Sequence, residues 1–129
     1  MTRREDAEHL LSSSKEFLDT AEYQISKGYY GLAVFSLEEA LQLFLKSKML
    51  ENGIDYPRTH SVRALLEMLS ELAPREDKMS ISRILDSYLL ELGMLEDAYI
   101  TSRYATREFK REEAERLMIV VKEVMENVA

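Results

Sequence analysis

Residues 33–46 read Ala33-Val34-Phe35-Ser36-Leu37-Glu38-Glu39-Ala40-Leu41-Gln42-Leu43-Phe44-Leu45-Lys46, and the spacing of their apolar side chains decides the fold. Carried outward to Tyr30 and Met49, the apolar positions are Tyr30, Ala33, Val34, Leu37, Ala40, Leu41, Phe44, Leu45 and Met49. These are the three-and-four steps of one buried helical face. Leu32, Phe35, Leu43 and Leu50 fall outside that stripe, so the apolar surface is broad and this is expected to be the most central helix. Asn52-Gly53 supplies the left-handed residue that ends it, and Pro57 keeps the following connection from becoming helical.

Upstream, apolar or small residues recur at Ala7, Leu10, Leu11, Ser14, Phe17, Leu18, Ala21 and Ile25, which predicts a first helix over about 5–25. Thr2 and Glu5 form a capping box before it. Gly28 and Gly31 bracket Tyr29-Tyr30 in the turn that follows. Downstream, Thr59 or Ser61 caps a short third helix with the stripe Val62, Leu65, Leu66, Leu69 and Leu72, which stops before Pro74. Pro74 suits the first turn of the next helix, where Glu76 and Asp77 lie near the positive end. Ile81, Ile84, Leu85, Tyr88, Leu92, Leu95 and Tyr99 continue one stripe, so a single fourth helix is expected to about Tyr99. The last carries Ala114, Leu117, Val121, Val124 and Val128, with Thr106 as its cap and Glu112 and Glu113 in its early turns. No stretch alternates with period two. Short connections between such helices make antiparallel neighbours, so the expected fold is all-α: an up-down four-helix bundle with an additional C-terminal helix, one domain over 1–129.

At 129 residues the chain has room for one core. It holds no Cys, which excludes disulfide scaffolds, thiolate metal sites and cysteine nucleophiles together. Its 17 Lys and Arg stand against 24 Asp and Glu, a net charge of −7, so a general nucleic-acid coat is excluded and any such binding needs a local basic patch. The longest purely apolar run, Leu117-Met118-Ile119-Val120-Val121, is far short of the roughly 20 residues that span a bilayer. Met1 to Asp6 is charged and leads into no signal-peptide apolar region. The expectation is a soluble cytoplasmic protein without a membrane partner.

In a strict up-down arrangement the second-to-third connection and the connection into the last helix meet at the N-terminal end of the bundle. That end would collect Arg58, His60 and Arg63 from one side and Arg103, Arg107, Lys110 and Arg111 from the other, with Tyr56, Tyr99 and Tyr104 between them. Arg103-Tyr104 suits a nucleotide, the guanidinium fork for phosphate and the ring for a base. The same pair also fits a structural role, Tyr104 covering the core and Arg103 pairing with a helix C-terminus or with Glu96 or Asp97. His60 is open to two readings as well: a phosphate-binding or proton-carrying group, or a locally bonded helix start. The candidate nucleotide- or RNA-binding residues are therefore Arg103, Tyr104, Arg107, Arg58 and His60. Glu38-Glu39 point about 100° apart and cannot share one ion, so they read as a solvated or salt-bridged edge. Neither metal nor cofactor is expected, since ligand spacings and phosphate-cradling glycine loops are missing. Tyr29, Leu32, Phe35, Leu43, Met118, Ile119 and Val120 lie off the main stripes or beside them. They are covered by neighbouring helices or seed a homodimer.

The string Ala33 to Lys46, then Asn52-Gly53, then Thr59-His60-Ser61-Val62-Arg63-Ala64-Leu65-Leu66, resembles the HEPN domain family (higher eukaryotes and prokaryotes nucleotide-binding). Tyr99-Ile100-Thr101-Ser102-Arg103-Tyr104 adds to the likeness, which covers about residues 5–128. The resemblance implies a four- or five-helix bundle that dimerises and works beside a minimal nucleotidyltransferase in a toxin–antitoxin-like pair. It also implies, for many members, metal-independent RNA cleavage by an Arg followed four to six residues later by a His. Here Arg103 is followed over that interval by Arg107, Glu108 and Phe109, and none of them carries protons near neutral pH as an imidazole does. Arg3 and Arg4 stand at suitable distances before His9, but in the first helix. The expected function is a non-catalytic HEPN module binding a nucleotide or RNA. The alternatives are a metal-independent ribonuclease using His9 or His60, and a purely structural dimerisation subunit.

Overall fold

The computed structural model describes residues 2–72, 75–104 and 108–128, with backbone alone at 75, 76 and 100–104. The helices are α1 (Arg3–Ser26), α2 (Tyr30–Glu51), α3 (Val62–Leu72), α4 (Arg75–Ser87), α5 (Leu89–Tyr104) and α6 (Arg111–Asn127), and the described residues contain no strand. The fold is an all-helical bundle with a C-terminal helix packed into it.

α2 is the central element, packing against α1, α3, α5 and α6. Leu37, Leu41, Leu45 and Met49 are fully buried, and Leu50 off the stripe is buried with them. Around them gather Leu65, Leu66, Leu92, Leu95, Leu117 and Val121. Phe35 and Leu43 are half-buried, so neighbouring helices account for them, whereas Leu32 stays 57 % exposed.

The α1–α2 pair rests on small residues seven apart. Ala7, Ser14 and Ala21 are the buried positions of α1; Ala33, Ala40 and Ser47 answer them on α2. Ser14 Oγ donates to the Ala40 carbonyl at 2.6 Å and Ser47 Oγ to the Ala7 carbonyl at 2.8 Å. The two bonds fix an antiparallel register that sets Ala21 opposite Ala33, and the small side chains let the backbones approach closely.

Helix ends follow local chemistry. Thr2 caps α1, its hydroxyl accepting from Glu5 N–H at 3.1 Å. Gly53, at φ +76°, is the left-handed residue after α2. Ser61 is the cap of α3, accepting from Ala64 N–H at 3.1 Å, while Thr59 supports it by accepting from Ser61 N–H. α6 starts at Arg111, and Lys110 N–H donates to the Glu113 carboxylate at 2.9 Å. The expected cap Thr106 lies outside the described residues.

Two expectations are corrected. The fourth helix is two helices, and the second runs on to Tyr104. Tyr88 N–H to Ile84 O and Leu92 N–H to Tyr88 O bracket the join, and the Tyr88 hydroxyl donates to Glu123 of α6. A straight rod over 75–104 would run about 45 Å. The break lets α4 pack on α3 and α6 while α5 lies on α2, α3 and α6.

The second correction concerns the basic pole. Arg3 meets Asp55 at the C-terminal end of α2. Glu108 and Phe109, which lead into α6, border a hollow with Gly28–Leu32 at the N-terminal end of that helix, about 33 Å away along its 22 residues. Lys110 and Arg111 therefore do not join Arg58, His60 and Arg63. The 52–61 connection doubles back along α2 instead, so His60 reaches Gln42 in mid-helix. Ten residues span this climb easily.

Candidate functional site

α2 carries one polar row through its apolar body: Glu38, Gln42 and Lys46, four residues apart on one face. Gln42 Nε2 donates to Glu38 Oε1 at 2.7 Å, and Lys46 Nζ donates to Gln42 Oε1 at 2.9 Å. The returning connection adds Tyr56 and His60. Lys46 Nζ sits 5.2 Å from the Tyr56 ring centroid, and His60 Nδ1 lies 3.2 Å from Gln42 Oε1.

Gln42 Oε1 can only accept, so its contact with His60 is a hydrogen bond in any form of the ring that carries a proton on Nδ1. The other ring nitrogen, Nε2, lies 3.0 Å from the Tyr99 hydroxyl of α5. The two rings stack, centroids 4.1 Å and planes 18° apart.

Beside this cluster Glu96 locks α5 to the start of α3. It accepts from the Ser61 hydroxyl at 2.7 Å, from Arg63 N–H at 3.1 Å and from the Arg63 guanidinium at 2.8 Å. Burial raises its pKa, but the bonds from Arg63 and Ser61 outweigh burial and hold the carboxyl below its ordinary value.

The cluster itself is not saturated. Lys46 Nζ makes its one hydrogen bond to a neutral amide, and among the described residues no carboxylate lies within ion-pair distance of it. Burial lowers its pKa, with Glu39 and Glu38 pulling the other way. Glu38 is fully buried, and its Oε2 has no hydrogen-bond partner in the described structure. Burial first, and the Glu39 carboxylate second, push its pKa up to about 8. The expectation of a solvated or salt-bridged edge thus fails for Glu38, which faces the protein interior; Glu39 is half-buried.

Of the five candidate residues, His60 stands in the cluster and Arg58 lies two residues before it, exposed and without an ion pair among the described residues. The side chains of Arg103 and Tyr104, and all of Arg107, lie outside the described residues. Glu96, one partner offered to Arg103 in its structural role, holds Arg63. Gln42, Lys46 and Glu38 were missed as site residues. The sequence does carry a signal for them: a polar row at intervals of four within a largely apolar helix. In α1, Arg3 pairs with Asp55 and Arg4 with Glu8. His9 itself lines a hollow of about 420 Å³ with Asp6 and Asp55, whose charges repel an anion.

A bundle of six helices among the described residues, built on a central α2 with a half-buried ammonium and a stacked imidazole on its flank, defines the structural class. The HEPN domain profile matches residues 7–129, and the chain belongs to the HEPN domain family. It shares its fold with a solved structure, the crystal structure of TT1696 from Thermus thermophilus. The two superpose with a TM-score of 0.66 at 22% identity, over 95% of this chain and 94% of that one. No curated protein matches the sequence. Among the described residues no helix is long and apolar enough to cross a membrane, and no group of acidic and His side chains is arranged to hold a metal ion.

Proposed function

We propose that this HEPN module binds a nucleotide or an RNA end through its phosphate at the Lys46–His60 cluster, and performs no reaction of its own. The observation that carries the reading is the Lys46 ammonium, half-buried, bonded to a neutral amide and, among the described residues, without a carboxylate at ion-pair distance. An ammonium so placed has N–H donors left for an anion. The Tyr56 ring beside it offers a face for a base, and Arg58 adds a positive charge to the same connection. The module works in the cytoplasm as a homodimer beside a minimal nucleotidyltransferase, as a toxin–antitoxin-like pair. Tyr29, at 54 % exposure, Leu32 and half-exposed Ile119 are the apolar residues offered to a second copy or partner. Calorimetric titration with nucleoside mono-, di- and triphosphates tests the reading. Lys46→Ala and His60→Ala should each weaken binding by about tenfold or more. A parent protein that binds none of them overturns it.

A second reading, metal-independent RNA cleavage, is favoured by one observation: His60 and Lys46 bond the same Gln42 oxygen, placing a proton carrier beside an anion-binding group. Metal-free RNA cleavage that disappears in His60→Ala supports it, and intact RNA after incubation with the parent protein removes it.

A further inference from the structure

Glu38 is a buried carboxyl with one oxygen bonded to Gln42 and the other, beside the Glu39 carboxyl, without a hydrogen-bond partner among the described residues, set two turns from an ammonium that the proposed function reserves for a phosphate. A buried carboxylate without a counter-ion is costly, and the group avoids that cost by holding its proton. We propose that Glu38 is a proton-operated gate on the Lys46 anion subsite, open while its carboxyl is neutral and closed when it ionises. The proposal rests on the reading of Lys46 as an anion site and adds how that site is controlled.

The charge count along the row gives the mechanism. With Glu38 neutral, Lys46 is the one charge of the row, and Glu39 stands beside it as the neighbouring anion. Ionisation adds a second negative charge in a site of low dielectric, where it opposes an incoming anion and gives the ammonium an internal counter-charge. Gln42 joins the two ends, since its amide donates to Glu38 and accepts from Lys46 and His60. The other packed elements leave Glu38 to this control. α3 and α5 bring Arg63 and Glu96, which hold each other. The 52–61 connection brings His60 and α5 brings Tyr99, both on the far side of Gln42. α1 meets the neighbouring turn through the Ser14 hydroxyl, and α6 adds apolar side chains to the core. The charges acting on the Glu38 carboxyl are those of Glu39 and Lys46. Coupling is reciprocal: an anion that prefers neutral Glu38 must raise its pKa by the matching amount.

Sulfate is the suitable probe, because its charge is constant from pH 6.5 to 9. Calorimetry should show the wild-type protein binding sulfate about fivefold more weakly at pH 9 than at pH 7. Glu38→Gln, which copies the neutral acid in shape, should hold its affinity within about twofold over that range. The same weakening in both proteins, as titration of Lys46 itself produces, overturns the gate and leaves the anion site standing. Sulfate binding by neither protein at pH 7 overturns the anion site and the gate with it. A measurement on the wild-type chain alone guards against a poorly folded variant. Saturating sulfate should raise the midpoint of the Glu38 carboxyl carbon, followed by NMR, by about one pH unit, the shift equivalent to tenfold coupling. An unmoved midpoint in sulfate-bound protein overturns the gate.

Discussion

The connection between α2 and α3 leads into two polar junctions, and they are built to opposite standards. At Glu96 one carboxylate receives a hydroxyl, a backbone N–H and a guanidinium, all from the three residues Ser61 to Arg63. At Gln42, on the neighbouring stretch of α2, the ammonium of Lys46 lacks a counter-ion and an oxygen of Glu38 lacks any partner among the described residues. Folding alone rewards the first arrangement and penalises the second, because an unmet buried polar group costs about 1–3 kcal/mol. The saturated junction holds the elements in place. The unsaturated one is where a ligand can improve on what the chain provides.

The largest expected effect concerns pH. The folded-state pKa of Glu38 is raised from 4.5 to about 8, so between those values the folded chain holds a proton that the unfolded chain releases. Its contribution to stability is complete below pH 4.5 and lost as pH rises toward 8. Glu38→Gln should flatten this part of the stability profile and make the protein more stable at pH 8, by on the order of 2–4 kcal/mol. Urea denaturation at pH 5 and pH 8 measures it. Parallel profiles for the two proteins would mean that Glu38 finds a partner and that its junction is as complete as the other.

Next in size is Glu96→Ala, which leaves both the backbone N–H and the guanidinium of Arg63 unpaired at the start of α3 while the Ser61 cap stays in place. A loss of about 2 kcal/mol at pH 7 is expected from hydrogen bonds to a charged group, discounted for the partial exposure of Arg63. The sign with pH is the reverse of that for Glu38. The carboxyl lies below its ordinary value, so its contribution is present above pH 4.5 and fades as acid protonates it. The deficit of Glu96→Ala should therefore shrink below about pH 4 in thermal melts. A deficit that persists there assigns the loss to packing.

How much of this was legible follows from what each residue touches. The α2 stripe was readable because burial of Leu37, Leu41, Leu45 and Met49 depends on helical period alone. Gly53 was readable because a positive φ leaves few residue types. The break at Tyr88 was not, since neither Gly nor Pro marks it and its hydroxyl partner Glu123 is 35 residues away. The basic pole failed for a related reason. The length of the 52–61 connection permits either a simple reversal or a climb along α2, and the choice is made by contacts from His60 to Gln42 and Tyr99. Glu38 misled because a Glu in sequence carries no mark of its depth; its burial comes from the helices that surround α2.

The smallest effect is also the sharpest test of the comparison. Lys46→Met keeps the unbranched stem over Tyr56 and removes the ammonium with its one bond to Gln42. Loss of a hydrogen bond to a neutral amide costs about 1 kcal/mol, while relief from burying an unpaired charge returns a comparable amount. Thermal stability should therefore stay within about 1 kcal/mol of the parent. Anion affinity should fall by about tenfold or more, because the charge that was of little use to the fold is the one a phosphate needs. A Lys46→Met protein destabilised as much as Glu96→Ala would make the ammonium a structural group. The two junctions would then differ in geometry and not in purpose.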